Sequence, residues 1–554
     1  MKGEQLVIIG GVAAGMKAAT RARRVSPNLK ITVFEEKDYV SYAACGLPYY
    51  TSGVVKEREE LVLRTPDDFI IPFDIQVHTN HRVTKIDPQN NQITVFDLKE
   101  RKEIVQYYDK LIVATGAKPI VPPLPGVNLP KIHTIKTIED ASSIKNYIGK
   151  EQLKKAVIVG AGLIGLEMAE SFVSQGLKVT IVEMMNQVLP PLDEDMAYLI
   201  EKHLIEKGVN VSKENPVEAF QGDIKAGVKQ VITKNARFDA DLVILSIGIR
   251  PNTQLAQEAG VALGETRAIK VNERMLTNIP EIYAAGDCSE TFNLITGKPI
   301  WIPLGSTANK QGRVAGENAA GGDAFFRGVS GTMIAKVFDY TVAKTGLSER
   351  EAMKYGYEIE RAIIYPNSHA HYYTDAKGML FKIIAEKKSN RVLGAQIIGE
   401  DGVDKRIDVI ASAIAQKATF GDLQGLDLAY APPYSPAVDP VIVAGYVLSN
   451  KSLGLLKGMP ADELKRKLDS GERFTLLDVR DNEEYKKGHL PGAKHIPFNE
   501  LRGRIGELDP DQEVIIYCLQ GLRSYNAIRT LQGKGFTKVM NLDGGINMWR
   551  WNLE

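Results

Sequence analysis

Two stretches of the chain repeat one order of features: an apolar strand, a glycine-rich turn, a helix and a strand ending in an acid. The second copy, AVIVGAGLIG, has the full GxGxxG spacing from Gly160 to Gly165, and Glu183 ends its second strand, KVTIVE. Such glycines let the backbone approach a pyrophosphate at a helix start, and the acid binds a ribose hydroxyl. This copy predicts a dinucleotide-binding fold. Glu183 is followed by two methionines rather than Arg, which favours NADH over NADPH.

The first copy has the same order but an imperfect glycine spacing. It runs through LVIIGGVAAG, from Leu6 to Gly15, and Val12 occupies the second glycine position. The next strand, KITVFEE, places Glu35 about twenty residues after the glycines, where it would bind a ribose hydroxyl. Glycine-rich turns between a strand and a helix also serve packing. Two such folds imply two dinucleotides, or one dinucleotide and a flavin cofactor.

The 554 residues are too many for one hydrophobic core and suggest three or four domains. A net charge of +1 provides no overall field that favours nucleic acid or an anionic membrane. No apolar run reaches the ~20 residues of a membrane span, and the N-terminus has no signal-peptide pattern. The three cysteines, Cys45, Cys288 and Cys518, are odd in number and far apart, which excludes a disulfide framework and predicts a reducing cytoplasm.

Cys45 lies in SYAACGLPYY, residues 41–50, shortly after the first predicted dinucleotide-binding unit. A fold of this kind would hold the reactive end of a flavin at that point. A thiol reacts as its thiolate, whose formation is favoured near positive charge or a helix N-terminus. The alternative interpretation is that Cys45 is a small buried hydrophobe, a common role for a lone cysteine.

Two further segments match a known arrangement. LIVATGAKP (residues 111–119) is a strand closing on Ala-Thr-Gly, and IYAAGDC (residues 282–288) places Asp287 just after a strand, where it would bind a ribityl chain with a helix start beside it. With DLVILSIGIRPN (residues 241–252), these segments resemble the two-dinucleotide-binding flavoprotein disulfide reductases, and the resemblance covers residues 1 to about 445. It implies FAD in the first fold, a nicotinamide in the second, and a return to the FAD domain at Asp287.

The resemblance also implies which residues contact each cofactor. For FAD these are Gly10, Gly11, Val12, Ala13, Ala14, Gly15, Glu35, Glu36, Lys37, Val83, Ala114, Thr115, Gly116, Asp287, Pro303 and Thr307. For NADH or NADPH they are Gly160, Gly162, Leu163, Ile164, Gly165, Glu183 and Gly248. Cys288, directly after the acid, is expected to be structural.

The resemblance places a dimer-forming domain after about residue 330 and so implies a homodimer whose subunits complete each other's sites. Two aromatic clusters, NSHAHYYTD and LAYAPPYSPAVDP, contain Tyr372, Tyr430 and Tyr434. These phenols are candidates to give a proton to a departing thiolate. The alternative is that they pack a proline-rich loop.

A separate domain follows a predicted linker, SNKSLGLLKGMP. Its segments LLDVR, GHLPGA, CLQGLRS and LDGGINMW resemble the rhodanese (sulfurtransferase) family over residues 460–554. The catalytic cysteine of that family falls on Cys518, and Arg523 closes the loop. Backbone N–H groups and a helix start around Cys518 are expected to stabilise an anionic persulfide.

Most disulfide reductases of the family use a CxxxxC pair, whereas Cys45 has no partner at that spacing. CGLPYY and YAPPYS resemble instead the coenzyme A disulfide reductases, and the fused domain resembles reductase–rhodanese fusions associated with persulfide and polysulfide reduction. Members that bind coenzyme A tend to carry Asn and Lys where this chain has Ala44 and Val438. Persulfide or polysulfide is therefore expected as substrate, with coenzyme A a possible ligand and with Arg24, Ser41 and Arg523 as substrate-binding residues.

The predicted fold class is α/β, with two Rossmann-like domains, an α+β dimerisation domain and an α/β rhodanese domain. The expected boundaries are 1–150 and 276–325 for FAD, 151–275 for the nicotinamide, 326–445 for dimerisation, 446–460 for the linker and 461–554 for rhodanese. The predicted function is NAD(P)H-dependent reduction of persulfide, polysulfide or coenzyme A disulfide through Cys45, with Cys518 handling sulfane sulfur. No metal, nucleic acid or membrane is expected. Two alternatives stay open: an NADH oxidase or peroxidase cycling a cysteine sulfenic acid, and a non-enzymatic redox sensor.

Overall fold

Each glycine-rich stretch follows a central strand of a parallel sheet in this computed structural model, which describes residues 4–150 and 153–554. The chain divides into unit 1, residues 4–190 with 201–329, and unit 2, residues 191–200 with 330–554. The predicted boundary at residues 150 and 151 lies at the edge of the described part.

The elements of unit 1 run in chain order through the two dinucleotide folds and back to the first. The strands are β1 (Gln5–Ile9), β2 (Lys30–Phe34), β3 (Ile75–His78), β4 (His81–Asp87), β5 (Gln92–Asp97), β6 (Lys102–Tyr107), β7 (Lys110–Val113), β8 (Ala117–Pro119), β9 (Ile132–His133), β10 (Lys155–Val159), β11 (Lys178–Val182), β12 (Asn210–Ser212), β13 (Val217–Asp223), β14 (Gly227–Thr233), β15 (Arg237–Asp239), β16 (Leu242–Leu245), β17 (Ile249–Pro251), β18 (Ile282–Ala284), β19 (Thr291–Phe292) and β20 (Pro299–Ile300). The helices are α1 (Ala13–Val25), α2 (Leu47–Ser52), α3 (Asp67–Phe73), α4 (Ile138–Lys150), α5 (Leu163–Ser174), α6 (Glu194–Glu206, which begins in unit 2), α7 (Gln254–Glu258) and α8 (Gly305–Ala319).

The two five-stranded parallel sheets have the orders β18-β7-β1-β2-β3 and β12-β11-β10-β16-β9. β1 pairs with β2 along all five residues of each strand, and β10 pairs with β11 in the same way. The central strands are almost wholly apolar because parallel sheets are covered on both faces. β18 joins the first sheet, so the chain returns to the first fold near Asp287, as expected.

Helix α8 packs directly on the backbone of α1. A Cβ at Gly312 would lie 2.3 Å from the carbonyl oxygen of Ala14, and one at Gly316 would lie 2.2 Å from that of Ala18. Side chains larger than hydrogen would therefore separate the helices. This contact holds the start of α1, and the glycine loop before it, against the returning segment.

Unit 2 contains an antiparallel sheet followed by a parallel one. Its strands are β21 (Met333–Val337), β22 (Tyr340–Gly346), β23 (Ile359–Ile364), β24 (Met379–Glu386), β25 (Val392–Gly399), β26 (Gly458–Met459), β27 (Thr475–Asp478), β28 (Lys494–His495), β29 (Val514–Tyr517) and β30 (Val539–Leu542). Its helices are α9 (Glu349–Lys354), α10 (Val403–Ala415), α11 (Phe420–Gln424), α12 (Pro440–Ser452), α13 (Ala461–Asp469), α14 (Asn482–Lys486), α15 (Leu501–Arg504) and α16 (Leu522–Gln532). The sheet orders are β21-β22-β25-β24-β23 and β26-β30-β29-β27-β28.

Residues 446–460, predicted to be a linker, are largely structured. Helix α12 continues to Ser452, and β26 pairs with β30 of the C-terminal sheet. Leu448 and Lys451 are buried, so the apolar face of the helix passes beyond the expected boundary at residue 445. The polar letters SNKS suggested a linker, but these residues form the last turn of the helix.

Buried charges join the dimerisation part of unit 2 to its C-terminal part. The Lys451 ammonium group donates to both carboxylate oxygens of Asp543, at 3.0 and 2.9 Å. Arg361 on β23 donates to Asp543 at 3.4 Å and pairs with Glu349 at 2.9 Å. Asp543 directly follows β30 and is buried. Removing Asp543 would leave Lys451 and Arg361 with weaker compensation, from Glu360 at 3.7 Å and Glu349 at 2.9 Å, which is unfavourable for buried charges.

Among the described residues, no helix is long and apolar enough to cross a membrane. The same residues contain no cluster of His, Cys, Asp and Glu that could hold a metal ion.

Candidate active site

Glu35 is hydrogen-bonded to the first glycine loop. The two carboxylate oxygens of Glu35 accept hydrogen bonds from the backbone N–H groups of Gly11, at 2.7 Å, and Lys37, at 2.9 Å. Burial raises the pKa of Glu35, while these two hydrogen bonds partly offset that effect. Gly10 has φ of +106°, and a Cβ there would lie 2.3 Å from the carbonyl oxygen of Ala114, so only glycine fits.

The second loop repeats this geometry. Glu183 accepts from Ala161 N–H at 2.7 Å and from Met185 N–H at 2.8 Å. Gly160 has φ of +102°, and a Cβ at Gly165 would lie 2.2 Å from the carbonyl oxygen of Gly160. The two acids were predicted from spacing alone, and both lie at the end of the second strand of their sheet beside a glycine loop.

Both loops lead into helix starts suited to a phosphate. Helices α1 and α5 have neither a side-chain cap nor an acid in the first turn, whereas α9, α11 and α14 are capped by Ser348, Thr419 and Asp481. Uncapped N–H groups at a helix start bind anions. A Cβ at Gly162 would meet no atom within 4 Å, so this side of the loop is open. The loops therefore fit the pyrophosphates of FAD and NAD(P)H.

The other predicted FAD contacts gather around the first loop. Ala114, Thr115 and Gly116 follow β7, the neighbour of β1. Asp287 follows β18; burial raises the pKa of its carboxyl, and Lys136, at 3.8 Å, lowers it in part. The next helix start after Asp287 is at Gly305 in α8, with β19 and β20 between them.

The remaining predicted cofactor residues differ in exposure. Thr307 on α8 is buried, Pro303 before it and Val83 on β4 are half-buried, and Glu36 pairs with Arg82 at 2.7 Å. Among the residues predicted to contact NADH or NADPH, Leu163 and Ile164 begin α5. Gly248 is exposed after β16 and has φ of +110°.

Cys45 lies in a 3₁₀ turn, residues 44–46, directly before α2, and its side chain is accessible to solvent. The segment is anchored to the first glycine loop, because Ser41 donates its backbone N–H to the carbonyl oxygen of Gly11 at 2.9 Å. Ser41 has φ of +50°, which turns the chain toward Cys45. Cys45 therefore follows, by four residues, a direct backbone contact with the loop that fits FAD.

The charges around Cys45 oppose its thiolate. Desolvation raises the pKa of the thiol, Glu167 and Asp287 raise it further, and Lys136 lowers it in part. Glu167 lies on α5, and burial together with Glu170 raises its own pKa to about 7. Sequence reasoning missed Glu167 and Lys136 because each is about a hundred residues from Cys45, with no local pattern linking them.

The other thiol of unit 1 is enclosed. Cys288 is fully buried and lies 3.4 Å from the carbonyl oxygens of Val113 and Ala285. Burial raises the pKa of this thiol. The position fits a packing role.

Tyr372 and Tyr430 are brought together in unit 2, with 3.5 Å between their hydroxyl oxygens. Both are largely exposed, and so is Tyr434. The contact with Tyr430 raises the pKa of Tyr372. The tyrosines therefore lie at the surface of the unit, where the hydroxyl groups of Tyr372 and Tyr430 meet.

Cys518 follows β29 and is almost fully buried, with a side chain 2% exposed. Its sulfur accepts hydrogen bonds from the Gly521 N–H at 3.1 Å and from the Ser524 hydroxyl at 3.5 Å. The carbonyl oxygen of Cys518 accepts from the Ile546 N–H at 3.0 Å. Donors directed at sulfur are the arrangement that stabilises an anionic sulfur.

Arg523 lies on the first turn of α16 and pairs with Glu484 of α14. Its two terminal nitrogens donate to the two carboxylate oxygens at 2.6 and 2.7 Å. Sequence reasoning missed Glu484, although its place three residues after Asp481 marks a capping box.

The arginines of α1 have different partners. Arg21 pairs with Glu317 at 2.7 Å, and Arg23 donates to backbone carbonyl oxygens of Phe73, Pro27 and Asp74. Arg24, the predicted substrate contact, is exposed, with its guanidinium 5.7 Å from the centre of the Phe73 ring.

Two dinucleotide-binding folds with a single exposed cysteine beside the first define a pyridine-nucleotide-dependent flavoprotein oxidoreductase. Comparison with family models agrees: residues 4–312 match pyridine nucleotide-disulphide oxidoreductase, 332–441 its dimerisation domain and 460–551 a rhodanese-like domain. The chain belongs to the pyridine nucleotide-disulphide oxidoreductase family. The predicted family, fold class, cofactors and rhodanese domain are confirmed.

The chain is similar to the NAD(P)H sulfur oxidoreductase (CoA-dependent) of Pyrococcus abyssi, with 40% identity over 444 residues, 80% of this chain and 98% of the relative. It is similar over nearly its whole length to two solved structures. Reduced CoADR-RHD of Bacillus anthracis has a TM-score of 0.95 and 40% identity, covering 99% of this chain and 98% of that one. A NAD-dependent persulfide reductase from A. fulgidus has a TM-score of 0.93 and 43% identity, covering 98% and 100%.

Proposed function

We propose that this chain reduces persulfide or polysulfide sulfur with NAD(P)H, using FAD and Cys45, and that Cys518 carries sulfane sulfur. The observation that carries the proposal is the solvent-accessible Cys45, tied to the FAD-fitting loop through Ser41, in a chain whose cysteines are all free. A lone thiol completes its redox cycle either with a sulfur from outside the chain or with oxygen or peroxide, and we propose the sulfur route. The names of the relatives support a sulfur substrate.

Different residues bind the cofactors, attack the substrate and supply the proton. The first glycine loop and Glu35 hold FAD, and the second loop and Glu183 hold the nicotinamide cofactor. When bound, NAD(P)H and FAD supply the two electrons that reduce an S–S bond on Cys45. The Cys45 thiolate forms that bond by attacking a substrate sulfur, and the substrate's own S–S bond breaks as the leaving thiolate or hydrosulfide takes the electron pair. Tyr372 and Tyr430, from the second subunit of a homodimer, give the leaving group its proton.

The substrate is a small sulfane-sulfur compound, with coenzyme A as one carrier. Ala44 and Val438 lack the polar groups that the resemblance links to coenzyme A, whereas the exposed Arg24 offers a charge for a phosphate. The three free cysteines support a reducing, cytoplasmic setting.

The test is anaerobic NADH oxidation by the purified, FAD-loaded protein, with polysulfide and coenzyme A disulfide compared side by side. Faster turnover with polysulfide is the expected result. Faster turnover with the disulfide would mean that Arg24 and its neighbours suffice to bind coenzyme A. Rapid NADH oxidation with oxygen alone, and none with either sulfur compound, would replace the proposal with an NADH oxidase.

A further inference from the structure

Arg523 is the one basic residue of the loop that carries Cys518, CLQGLRS. Thiosulfate, a common sulfane donor, is a dianion, and it must approach a sulfur that reacts as an anion. A cation whose charge is not already matched favours binding of such a donor. The state of Arg523 therefore decides which donors this loop accepts.

The charge of Arg523 is matched by Glu484. The pair is bidentate, at 2.6 and 2.7 Å, and both side chains are partly shielded from solvent, with 33% and 23% of their surface exposed. Arg523 lowers the pKa of Glu484 to about 2, so the carboxylate is ionised at neutral pH. The two side chains together present no net charge to a donor.

Glu484 is also fixed in place by its own helix. Its carboxylate accepts from the Asp481 N–H at 3.0 Å, and its N–H donates to the Asp481 carboxylate at 2.8 Å. If the Glu484 side chain turned away from Arg523, it would also lose its hydrogen bond from the Asp481 N–H, which is one of the two bonds of the capping box of α14. The neutralisation of Arg523 is therefore a built feature of the domain.

The other side chains of the loop are uncharged. Leu522 has a side chain 70% exposed, Gln520 is exposed and Leu519 is half-buried. An exposed leucine at the edge of a reactive site offers apolar surface to the carbon skeleton of an organic donor. The leucine offers nothing to the charged oxygens of thiosulfate.

We propose that Glu484 and Leu522 make the Cys518 site selective for organic persulfides over thiosulfate. This inference rests on the proposed sulfur-carrying role of Cys518. The Cys518 thiolate attacks the outer sulfur of the neutral persulfide RSSH, the S–S bond of the donor breaks, and RS⁻ leaves with the electron pair and takes up the proton of the transferred sulfur. Cys518 keeps the transferred sulfur as a persulfide anion, held by the Gly521 N–H and the Ser524 hydroxyl. With thiosulfate the leaving group is sulfite, and the approach places two negative charges beside a neutralised arginine.

The test compares sulfur transfer to cyanide from thiosulfate and from glutathione persulfide by the full-length, FAD-loaded protein. The wild type is expected to have the higher kcat/KM with the persulfide. Glu484→Gln keeps the capping geometry and frees the charge of Arg523, and is expected to raise kcat/KM for thiosulfate by about tenfold, the value of one partly exposed charge-assisted contact. Its kcat/KM for the persulfide should change far less.

The matched control is Glu483→Gln, which removes the same charge from the neighbouring exposed residue, whose partner is Lys486. It should leave the ratio of the two donors unchanged. Leu522→Lys adds a cation at the edge of the loop without touching the cap, and should also raise thiosulfate use if Glu484→Gln folds poorly.

The outcomes separate this inference from the function on which it rests. Equal use of both donors by the wild type, or an unchanged ratio in both Glu484→Gln and Leu522→Lys, would overturn the selectivity while leaving Cys518 a sulfur carrier. Transfer from neither donor would overturn the sulfur-carrying role, and the selectivity with it.

Discussion

The two reactive thiols have opposite surroundings. The side chain of Cys45 is accessible to solvent; partial desolvation and then Glu167 and Asp287 raise its pKa, and Lys136 lowers it in part. Cys518 is nearly buried and receives hydrogen bonds from the Gly521 N–H and the Ser524 hydroxyl. One site is open and acidic, whereas the other is closed and lined with donors.

The difference in surroundings is related to the different roles proposed for the two cysteines. Cys518 is held by its own loop, so an anionic sulfur there is supported by groups that are already in position. The side chains around Cys45 disfavour its thiolate, which fits a residue that acts together with a bound redox cofactor. The following changes test that contrast, from the largest effect to the smallest.

Cys45→Ser is expected to lower NAD(P)H-dependent reduction of polysulfide by at least roughly a thousandfold, because it removes the nucleophile. FAD binding, measured by flavin absorbance after gel filtration, should be unchanged, and so should sulfur transfer through Cys518. A serine variant with full turnover would contradict the single-thiol mechanism.

Cys518→Ser should reduce sulfur transfer from glutathione persulfide to cyanide by roughly a hundredfold or more, for the same reason. NADH-dependent reduction of a small disulfide should stay within about twofold of the wild type, since that reaction needs only Cys45. Equal loss of both activities would mean that the two thiols form one site.

Asp543→Asn tests whether the buried ion pairs hold the dimerisation part of unit 2 to its C-terminal part. It leaves Lys451 less well compensated, and the expected cost is roughly 2 kcal/mol, below the usual range because Arg361 keeps Glu349. The population of locally opened chain should rise about thirtyfold, measured as the rate of proteolysis between residues 452 and 460.

The matched control for Asp543→Asn is Asp511→Asn, an exposed position in the same domain. It should leave the cleavage rate unchanged. An Asp543 variant cleaved no faster than this control would show that the ionic contacts do not hold the two parts together.

Glu167→Gln is expected to lower the pKa of Cys45 by less than about one unit, because it removes one nearby negative charge. The measurement is the pH dependence of Cys45 alkylation in the NADH-reduced protein, in a Cys518→Ser background with Cys288 buried. Since the pKa of Glu167 is about 7, its charge is lost below that pH, and the variant and its parent should react alike there.

Glu170→Gln is expected to change the reactivity of Cys45 in the opposite direction from Glu167→Gln. Glu170 raises the pKa of Glu167, so its removal keeps Glu167 ionised to lower pH and should slow alkylation of Cys45 near neutrality. Faster alkylation of Cys45 in this variant would contradict the proposal that Glu170 acts on Cys45 through the charge of Glu167.

The features predicted from sequence are those encoded locally. Glu35 and Glu183 were found because a strand, a turn and a helix fix the acid at a set distance from the glycines. Cys518 and Arg523 were found in one continuous loop. Because their signals also lie within short segments, the two dinucleotide-binding folds and the rhodanese domain were predicted correctly.

The features that were missed depend on contacts between distant segments. Glu167 and Lys136 reach Cys45 from other elements, and Glu484 meets Arg523 across 39 residues. The end of α12 was misread because four polar letters looked like a linker, although Lys451 is buried against a carboxylate that lies 92 residues later. Pairings of this kind leave no spacing for a single sequence to reveal.

The ion pairs of Asp543 limit how freely the C-terminal part could be exchanged between proteins. A fragment cut at the start of the rhodanese match, residue 460, would carry Asp543 without Lys451 and Arg361, and the remaining chain would expose two cations made for burial. Each piece would need new surface residues to be stable alone. Side chains on both sides of the boundary are therefore adapted to each other. A rhodanese domain moved to another protein would need oppositely charged partners for Asp543 in its new setting.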